Sequence, residues 1–246
     1  MPVTRSQVKY IQSLGHKKFR DAEGAFVVEG PKIVGELLEA PNCRPGQIYA
    51  RKEWIAATGS GPGGFVTEVS QDELERLSGQ TTPNLVVAIF EKPQFNEPNW
   101  SSGLHLVLDG IQDPGNLGTI VRLADWFGIG LVLCSPDSAD VFGPKAVQAT
   151  MGSISRVQVV YREPAEVIGQ AGDKMPVYAT VLDGESLYGL SRITSGWILV
   201  GNESRGIRPE LLGLANRLVT IPRIGDAESL NAAVATGIVL SHLVQG

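Results

Sequence analysis

Residues 197–243 read WILVGNESRGIRPELLGLANRLVTIPRIGDAESLNAAVATGIVLSHL. Trp197 to Val200 is a short apolar run stopped by Gly201-Asn202-Glu203, and Leu218 to Ile221 is a second run stopped by Pro222. Both patterns describe buried strands that end in loops. After the second loop, Ser229-Leu230-Asn231 offers polar caps to Ala232–Val244, a segment whose Ala, Val, Ile and Leu leave almost no polar face. A helix this apolar has to be buried, against its own sheet and against a second subunit.

Outward from that stretch, the pattern back to Leu104 is a regular α/β alternation. Strands are expected at Leu104–Leu108, Leu131–Cys134, Val157–Tyr161, Val177–Val181, Trp197–Val200 and Leu218–Ile221. Helices are expected near 117–127, 143–152, 164–171, 209–215 and from 231. Near-continuous apolar strands separated by helices argue for a mainly parallel sheet covered on both faces. Asp109-Gly110 ends the first of these strands, and the loop IQDPG leads to Asn116, a good N-cap for the next helix. On that helix Leu117, Ile120, Val121, Ala124 and Phe127 make one apolar face, with Arg122 nearly opposite and pointing away from the core. Glu203 follows a strand at its carboxyl end, where α/β proteins place functional groups. Taken alone, Arg122 reads as a surface arginine, Glu203 as a loop carboxylate, and Ser229 and Asn231 as caps.

Before Leu104 the elements are shorter. Thr4 to Leu14 has helical spacing and the basic turn HKKFR follows. Ala25–Val28, Gln47–Ala50, Phe65–Val69 and Asn84–Phe90 read as strands, and Pro31 opens a helix with Ile33, Val34, Leu37 and Leu38 as its stripe. Glu53 to Ala57 reads as a short helix, and Ser70-Gln-Asp-Glu73 as the capping box of another. This is a compact α/β sandwich. The stretch EKPQFNEPNWSS lacks periodicity, which sets the boundaries at 1–91 for the first domain, 92–102 for a linker and 103–246 for the second. The glycines of GSGPGG at 59–64 follow no strand and are interrupted by Pro62, so they read as a surface loop and not a dinucleotide site.

Composition narrows the function further. The chain has 246 residues, 43% of them hydrophobic, with no apolar run long enough to cross a bilayer and no charged-then-apolar leader, so the expected location is the cytoplasm. Cys43 and Cys134 imply no disulfide framework, and His16, His105 and His242 have no zinc-site spacing, so no metal is expected. The net charge of −5 argues against a protein that grips nucleic acid over its whole surface. Residues 1–20, however, carry Arg5, Lys9, Lys17, Lys18 and Arg20 with no acid. Lys17, Lys18 and Arg20 are therefore candidates for phosphate contacts, beside the plainer reading of a solvated terminal helix.

The sequence LDGIQDPGNLGTIVRLADWFGI at 108–129, followed by GNESRGI, IPRIG and SLNAAVATGI, resembles the three signature motifs of the SpoU group of SPOUT RNA ribose 2′-O-methyltransferases, in the family's order. KKFRDAEGAFVVEGPKIVGELL resembles the substrate-binding domain of many SpoU enzymes, which is similar to small ribosomal RNA-binding proteins. The resemblance implies a C-terminal sheet threaded into a trefoil knot, which ordinary topology rules would have rejected. It implies S-adenosylmethionine as cofactor, held by the backbone around Gly201, Ile221 and Leu230 with Asn202 adding to the pocket. It also implies a homodimer in which Arg122 acts on the cofactor of the other subunit. Asn116 and Arg122 fall on the family's conserved Asn and Arg of the first motif, and Glu203, Ser229 and Asn231 take the roles of the later motifs. The chain departs from the family at Ala233, where a second serine is usual, at Ser204 for a common glycine and at Arg223 for a common methionine.

The implied reaction moves the sulfonium methyl to a ribose 2′-hydroxyl oxygen, which requires in-line positioning at about 3 Å and an acceptor for the hydroxyl proton. The family's proposed base corresponds to Arg122. An arginine is effectively always protonated in an ordinary site, which favours a guanidinium that anchors phosphate while Glu203 accepts the proton. The sequence leaves both open. The N-terminal domain favours ribosomal RNA, of the large subunit, over transfer RNA, with neither DNA nor membrane as partner. The alternatives are a tRNA 2′-O-methyltransferase and a non-catalytic ribosome assembly factor that kept the fold; a dinucleotide oxidoreductase lacks a well-placed glycine fingerprint.

Overall fold

The computed structural model describes residues 3–59, 65–172 and 175–244. The expected surface loop at 59–64 thus lies outside the described residues except for Gly59. Contacts divide the chain into two units, Met1–Phe95 with Asp140–Ser155, and Asn96–Ala139 with Arg156–Gly246. Asp140–Ser155, which the sequence assigns to the C-terminal half, groups with the N-terminal unit for a physical reason. Arg20 forms an ion pair with Asp140, and the Phe26 and Phe142 rings pack with centroids 5.1 Å apart.

In the first unit, helices α1 (Arg5–Ser13), α2 (Lys17–Glu23), α3 (Pro31–Glu39), α4 (Lys52–Thr58) and α5 (Gln71–Leu77) accompany strands β1 (Ala25–Glu29), β2 (Pro45–Ala50), β3 (Val66–Glu68) and β4 (Val86–Glu91). The strands lie in the order β1-β4-β2-β3; β2 and β3 are parallel and the other pairs antiparallel. Every residue of β1 is buried, so both faces of the sheet are covered. Ala25 and Val27 join Ile11, Leu14, Leu74 and Leu77 in a core on one face. The capping box at Ser70 forms as expected, and a second one starts α1 at Thr4. The basic stretch HKKFR, expected as a turn, contributes the first residues of α2.

The second unit has strands β5 (Leu104–Asp109), β6 (Leu131–Cys134), β7 (Gln158–Tyr161), β8 (Val177–Ser186), β9 (Gly196–Gly201) and β10 (Arg217–Thr220). They form a six-stranded sheet in the order β10-β8-β9-β5-β6-β7, every neighbouring pair parallel. Helices α6 (Pro114–Trp126), α8 (Pro164–Ala171), α9 (Pro209–Leu212) and α10 (Ala232–Leu243) belong to this unit, and α7 (Pro144–Thr150) to the first. Val107, Leu199 and Trp197 pack with Val167, Ile168 and Leu211 on one face, while α6 and α10 pack against each other and reach β6 and β9. The linker residue Trp100 stacks on Trp197 with ring centroids 5.7 Å apart. No helix among the described residues is long and apolar enough to cross a membrane.

Two sequence expectations change at the site-bearing ends. The N-cap of α6 is Asp113, whose side chain accepts from the Asn116 N–H, with Pro114 at the first turn. Asn116 is therefore inside the helix, which frees its amide for other partners. The β8 strand runs on past Val181, and its pairing with β10 slips between Leu218 and Val219, so that Leu182 projects into solvent at 79% exposure.

Candidate active site

Beyond the ends of β8, β9 and β10 lies a cleft of about 640 Å³, within the range typical of small-molecule sites. Its walls come from Thr180–Leu182, Val200–Ile207, Val219–Ile224 and Ala227–Leu230, with Ala232 and Ala235 of α10 at the base. Six of the site residues singled out in the sequence line it: Gly201, Asn202, Glu203, Ile221, Ser229 and Leu230. Apolar side chains from Val200, Val219, Ile221 and Leu230 offer a surface for a flat heterocycle, and the loops that begin where strands end supply backbone polar groups. The residues present therefore suit a cofactor of nucleoside size such as S-adenosylmethionine.

Gly201 is required by the chain itself. A methyl group at this position would collide with the backbone of Gly206 and Ile207, because the loop folds back on its own start. Asn202 and Gly206 exchange backbone hydrogen bonds at 3.1 and 2.9 Å, and Gly206 takes φ +69° to allow it. The Asn202 side chain is committed to the same loop: Nδ2 donates to the Gly110 carbonyl at 2.8 Å, and Oδ1 accepts from the Ser204 and Arg205 N–H groups. Asn202 lines the cleft, and these bonds leave one N–H of its Nδ2 uncommitted.

The geometry joins all three motifs through one chain of side-chain amides. Asn231 caps α10, its Oδ1 accepting from Ala233 N–H at 3.0 Å and Val234 N–H at 3.2 Å. Backbone N–H groups only donate, so the cap fixes Oδ1 toward the helix and Nδ2 outward. That Nδ2 donates to Asn116 Oδ1 at 2.9 Å, which turns the Asn116 Nδ2 toward Glu203 Oε1 at 2.6 Å. The helix N-terminus thereby sets the direction of every bond up to the carboxylate. One Glu203 oxygen is held by Asn116, and the residue is otherwise exposed at the cleft.

Arg122 lies on the exposed side of α6, as the helical wheel requires, with no ion pair among the described residues. Ser229 is exposed at the cleft rim and does not cap α10, a role that falls to Asn231. Of the departures from the family pattern, Ala233 packs into the buried side of α10, while Ser204 and Arg223 line the cleft. Beside it, the Ser135 hydroxyl donates to Asp137 at 2.6 Å and holds that carboxyl below its ordinary range, and Arg205 lies 3.6 Å from the same group. Sequence reasoning missed Thr180–Leu182 and Arg205. The end of the expected strand Val177–Val181 was a hint at the former, and the strand runs on beyond it.

The basic N-terminal candidates divide. Lys18 is exposed and Lys17 is bonded to Asp21 at 2.9 Å on the surface, so both reach solvent. Arg20 does not. It is 3% exposed, with Nη2 and Nε on Asp140 at 2.6 and 3.1 Å and Nη1 on the Leu14 carbonyl at 2.8 Å. Its charge is spent inside the first unit, which removes it as an RNA contact.

A doubly covered parallel sheet with a cofactor-sized cleft at its carboxyl ends, edged by a polarised Asn-Asn-Glu chain, defines an α/β enzyme of the SPOUT methyltransferase type. Residues 103–241 match the SpoU rRNA Methylase family, and residues 5–88 match the MRM3-like substrate binding domain. The chain belongs to the SpoU rRNA methylase family. It is 31% identical to the 23S rRNA (guanosine(2553)-2′-O)-methyltransferase RlmP of Bacillus subtilis, over 96% of this chain and 95% of that protein. Among solved structures it superposes on a putative RNA methyltransferase of the TrmH family from Porphyromonas gingivalis with TM-score 0.88 and 41% identity, covering 99% of each chain. An AdoMet-bound rRNA methyltransferase from Sinorhizobium meliloti gives TM-score 0.85 and 32% identity over 98% of this chain and 96% of that one.

Proposed function

We propose that this protein methylates a ribose 2′-hydroxyl of 23S ribosomal RNA, using S-adenosylmethionine. The observation that carries the reading is the hydrogen-bonded line Asn231–Asn116–Glu203, which brings one polar residue from each motif to the edge of the cleft. The RlmP relative acts on 23S rRNA by name, and its match over nearly the full length of both chains supports the same substrate class here. S-adenosylmethionine supplies a methyl group activated by its sulfonium. Ile221, Leu230 and the backbone of Gly201 hold the cofactor, and Asn202 contributes through the loop it stabilises.

The Glu203 oxygen not bonded to Asn116 accepts the proton of the ribose hydroxyl, directly or through water. Asn116 orients that carboxylate, Asn231 orients Asn116, and Ser229 faces the ribose from the rim. Arg122, a permanently charged planar donor, anchors the target phosphate. Residues 1–91 form the RNA-gripping half with Lys17 and Lys18 as phosphate contacts, 92–102 the linker and 103–246 the catalytic half. The chain between β10 and α10 threads the knot of its family.

The working form is a homodimer in the cytoplasm. Trp126 is 81% exposed and Val234 53% exposed, on the two helices α6 and α10 that pack together. Exposed apolar side chains of this size on adjoining helices mark an interaction surface. Arg122 lies one turn from Trp126 on α6, so a subunit docked there lies beside the guanidinium.

The test is methyl transfer from labelled S-adenosylmethionine to unmodified 23S rRNA and to transfer RNA, with the modified nucleotide mapped, for the natural protein and for Arg122→Ala and Glu203→Gln. Label on one 23S ribose, strongly reduced in both variants, is expected. Label on transfer RNA alone, or cofactor binding with no RNA labelled, overturns the proposal.

A further inference from the structure

Asp109, the last residue of β5, is 2% exposed and has no part in the reading above. In the β5–β9 ladder it lies opposite Gly201, where the loop carrying Glu203 begins. The far end of that loop returns to the Asp109 side chain. Arg208 N–H donates to Asp109 Oδ2 at 2.7 Å and Arg208 Nε donates to Oδ1 at 2.7 Å. Arg208 Nη2 also donates to Glu163, the N-cap residue of α8, at 2.8 Å. Both ends of the Gly201–Arg208 loop are therefore tied to Asp109, the near end through strand pairing and the far end through the buried carboxylate, with Asn202 adding a tie to Gly110.

We propose that Asp109 and Arg208 are positioning residues for methyl transfer, forming a clamp that holds Glu203 against Asn116. The inference rests on the reading that Glu203 takes the hydroxyl proton. Physically, a carboxylate this buried tolerates its charge only while its charge-assisted bonds stay intact. A swing of the loop would break two of them at once, so the loop tip that carries Glu203 is held in place. Neither residue lines the cleft, so the clamp acts on the acceptor and not on the cofactor. Positioning of this kind matters because a displacement of about 1 Å costs about a hundredfold in rate.

The test is a double-mutant cycle with Arg208→Gln and Glu203→Gln, singly and together. Turnover is measured at saturating RNA and cofactor, cofactor affinity by calorimetry, and folding by thermal melting. Arg208→Gln is expected to lower kcat by about tenfold to a hundredfold while the cofactor Kd stays within about threefold. On the Glu203→Gln background the same change should lower kcat by less than about twofold, because residues acting through one another are not additive. Additive losses, or a loss confined to cofactor affinity, overturn the clamp. If Arg208→Gln does not fold, Arg208→Lys, which keeps the charge and loses the second donor, goes through the same cycle and is judged by the same additivity. A natural protein that methylates no RNA overturns the proposed function and the clamp together. An active natural protein with an additive cycle overturns the clamp alone.

Discussion

Replacing Arg20 with alanine separates two accounts of the basic N-terminus. The guanidinium makes two bonds to Asp140 and one to the Leu14 carbonyl, and the two side chains are 4% and 13% exposed. Removing one partner of a buried ion pair costs about 3–5 kcal/mol, since the remaining charge is left without compensation. Asp140 keeps its bond from the Phe142 N–H at 3.0 Å and some contact with water, which places the expected loss near the lower end, about 3 kcal/mol. With a urea slope of about 2 kcal/mol/M, the unfolding midpoint of the first unit should fall by about 1.5 M. Urea titrations followed by circular dichroism and by fluorescence measure this, and two probes are needed because a chain of two units need not unfold in one step. Arg20→Met combined with Asp140→Asn removes both charges and keeps the Phe142 contact, so it should recover at least about 1 kcal/mol of the loss. Folded Arg20→Ala should bind RNA with unchanged salt dependence, whereas Lys18→Ala should flatten the salt slope by about 0.7–0.9 without moving the midpoint. An unmoved midpoint in Arg20→Ala together with a flattened salt slope would refute the burial argument and restore Arg20 as a phosphate contact.

Four further outcomes are expected. Asn231→Asp keeps an oxygen for the α10 cap but loses the amide that donates to Asn116; stability should change by less than about 1 kcal/mol while methyl transfer falls at least about tenfold, and intact activity would dismiss the Asn-Asn-Glu chain. Gly201→Ala forces a methyl into the Gly206–Ile207 backbone and should destabilise by about 1–3 kcal/mol, with a melting temperature equal to the natural protein's counting against the close approach. His105 is 3% exposed between Trp100 and Trp197; burial pushes its pKa down, and the Ser102 backbone opposes this without a normal hydrogen bond at either ring nitrogen. The unfolded chain takes up that proton near pH 6.5 and the folded one only lower, so this contribution is complete above the unfolded pKa. It declines as pH falls toward the depressed folded pKa. His105→Phe should shrink the loss of urea midpoint between pH 7.5 and 5.5, and an identical pH response in the variant would contradict the assignment. Trp126→Glu should shift the protein toward a monomer in sedimentation, and an unchanged sedimentation coefficient would move the proposed interface elsewhere.

The strand runs Leu104–Leu108, Leu131–Cys134 and Trp197–Val200 are legible in the sequence because a parallel strand buried on both faces cannot alternate polar with apolar residues. Pro114, Pro144, Pro164 and Pro209 open helices in the first turn for a reason equally local, the missing N–H. The exposed side of Arg122 follows from helical spacing alone. The motif residues near the cleft are legible too, since a short motif fixes which residues share a loop.

What the sequence cannot supply is which partner a polar group meets across the chain. Lys18 and Arg20 are two residues apart with the same charge, yet one is solvated and the other is buried on Asp140, because the helix turns them to opposite sides. Asn116 looked like a cap until Asp113 took that position, leaving its amide to join Asn231 and Glu203, 115 and 87 residues away. Gly201 reads as a strand end beside the cofactor, and only the folded loop shows that the backbone of Gly206 and Ile207 leaves no room for a side chain there. Local pattern decides element type because backbone geometry is local; site chemistry depends on contacts between distant residues, which only the packed sheet brings together.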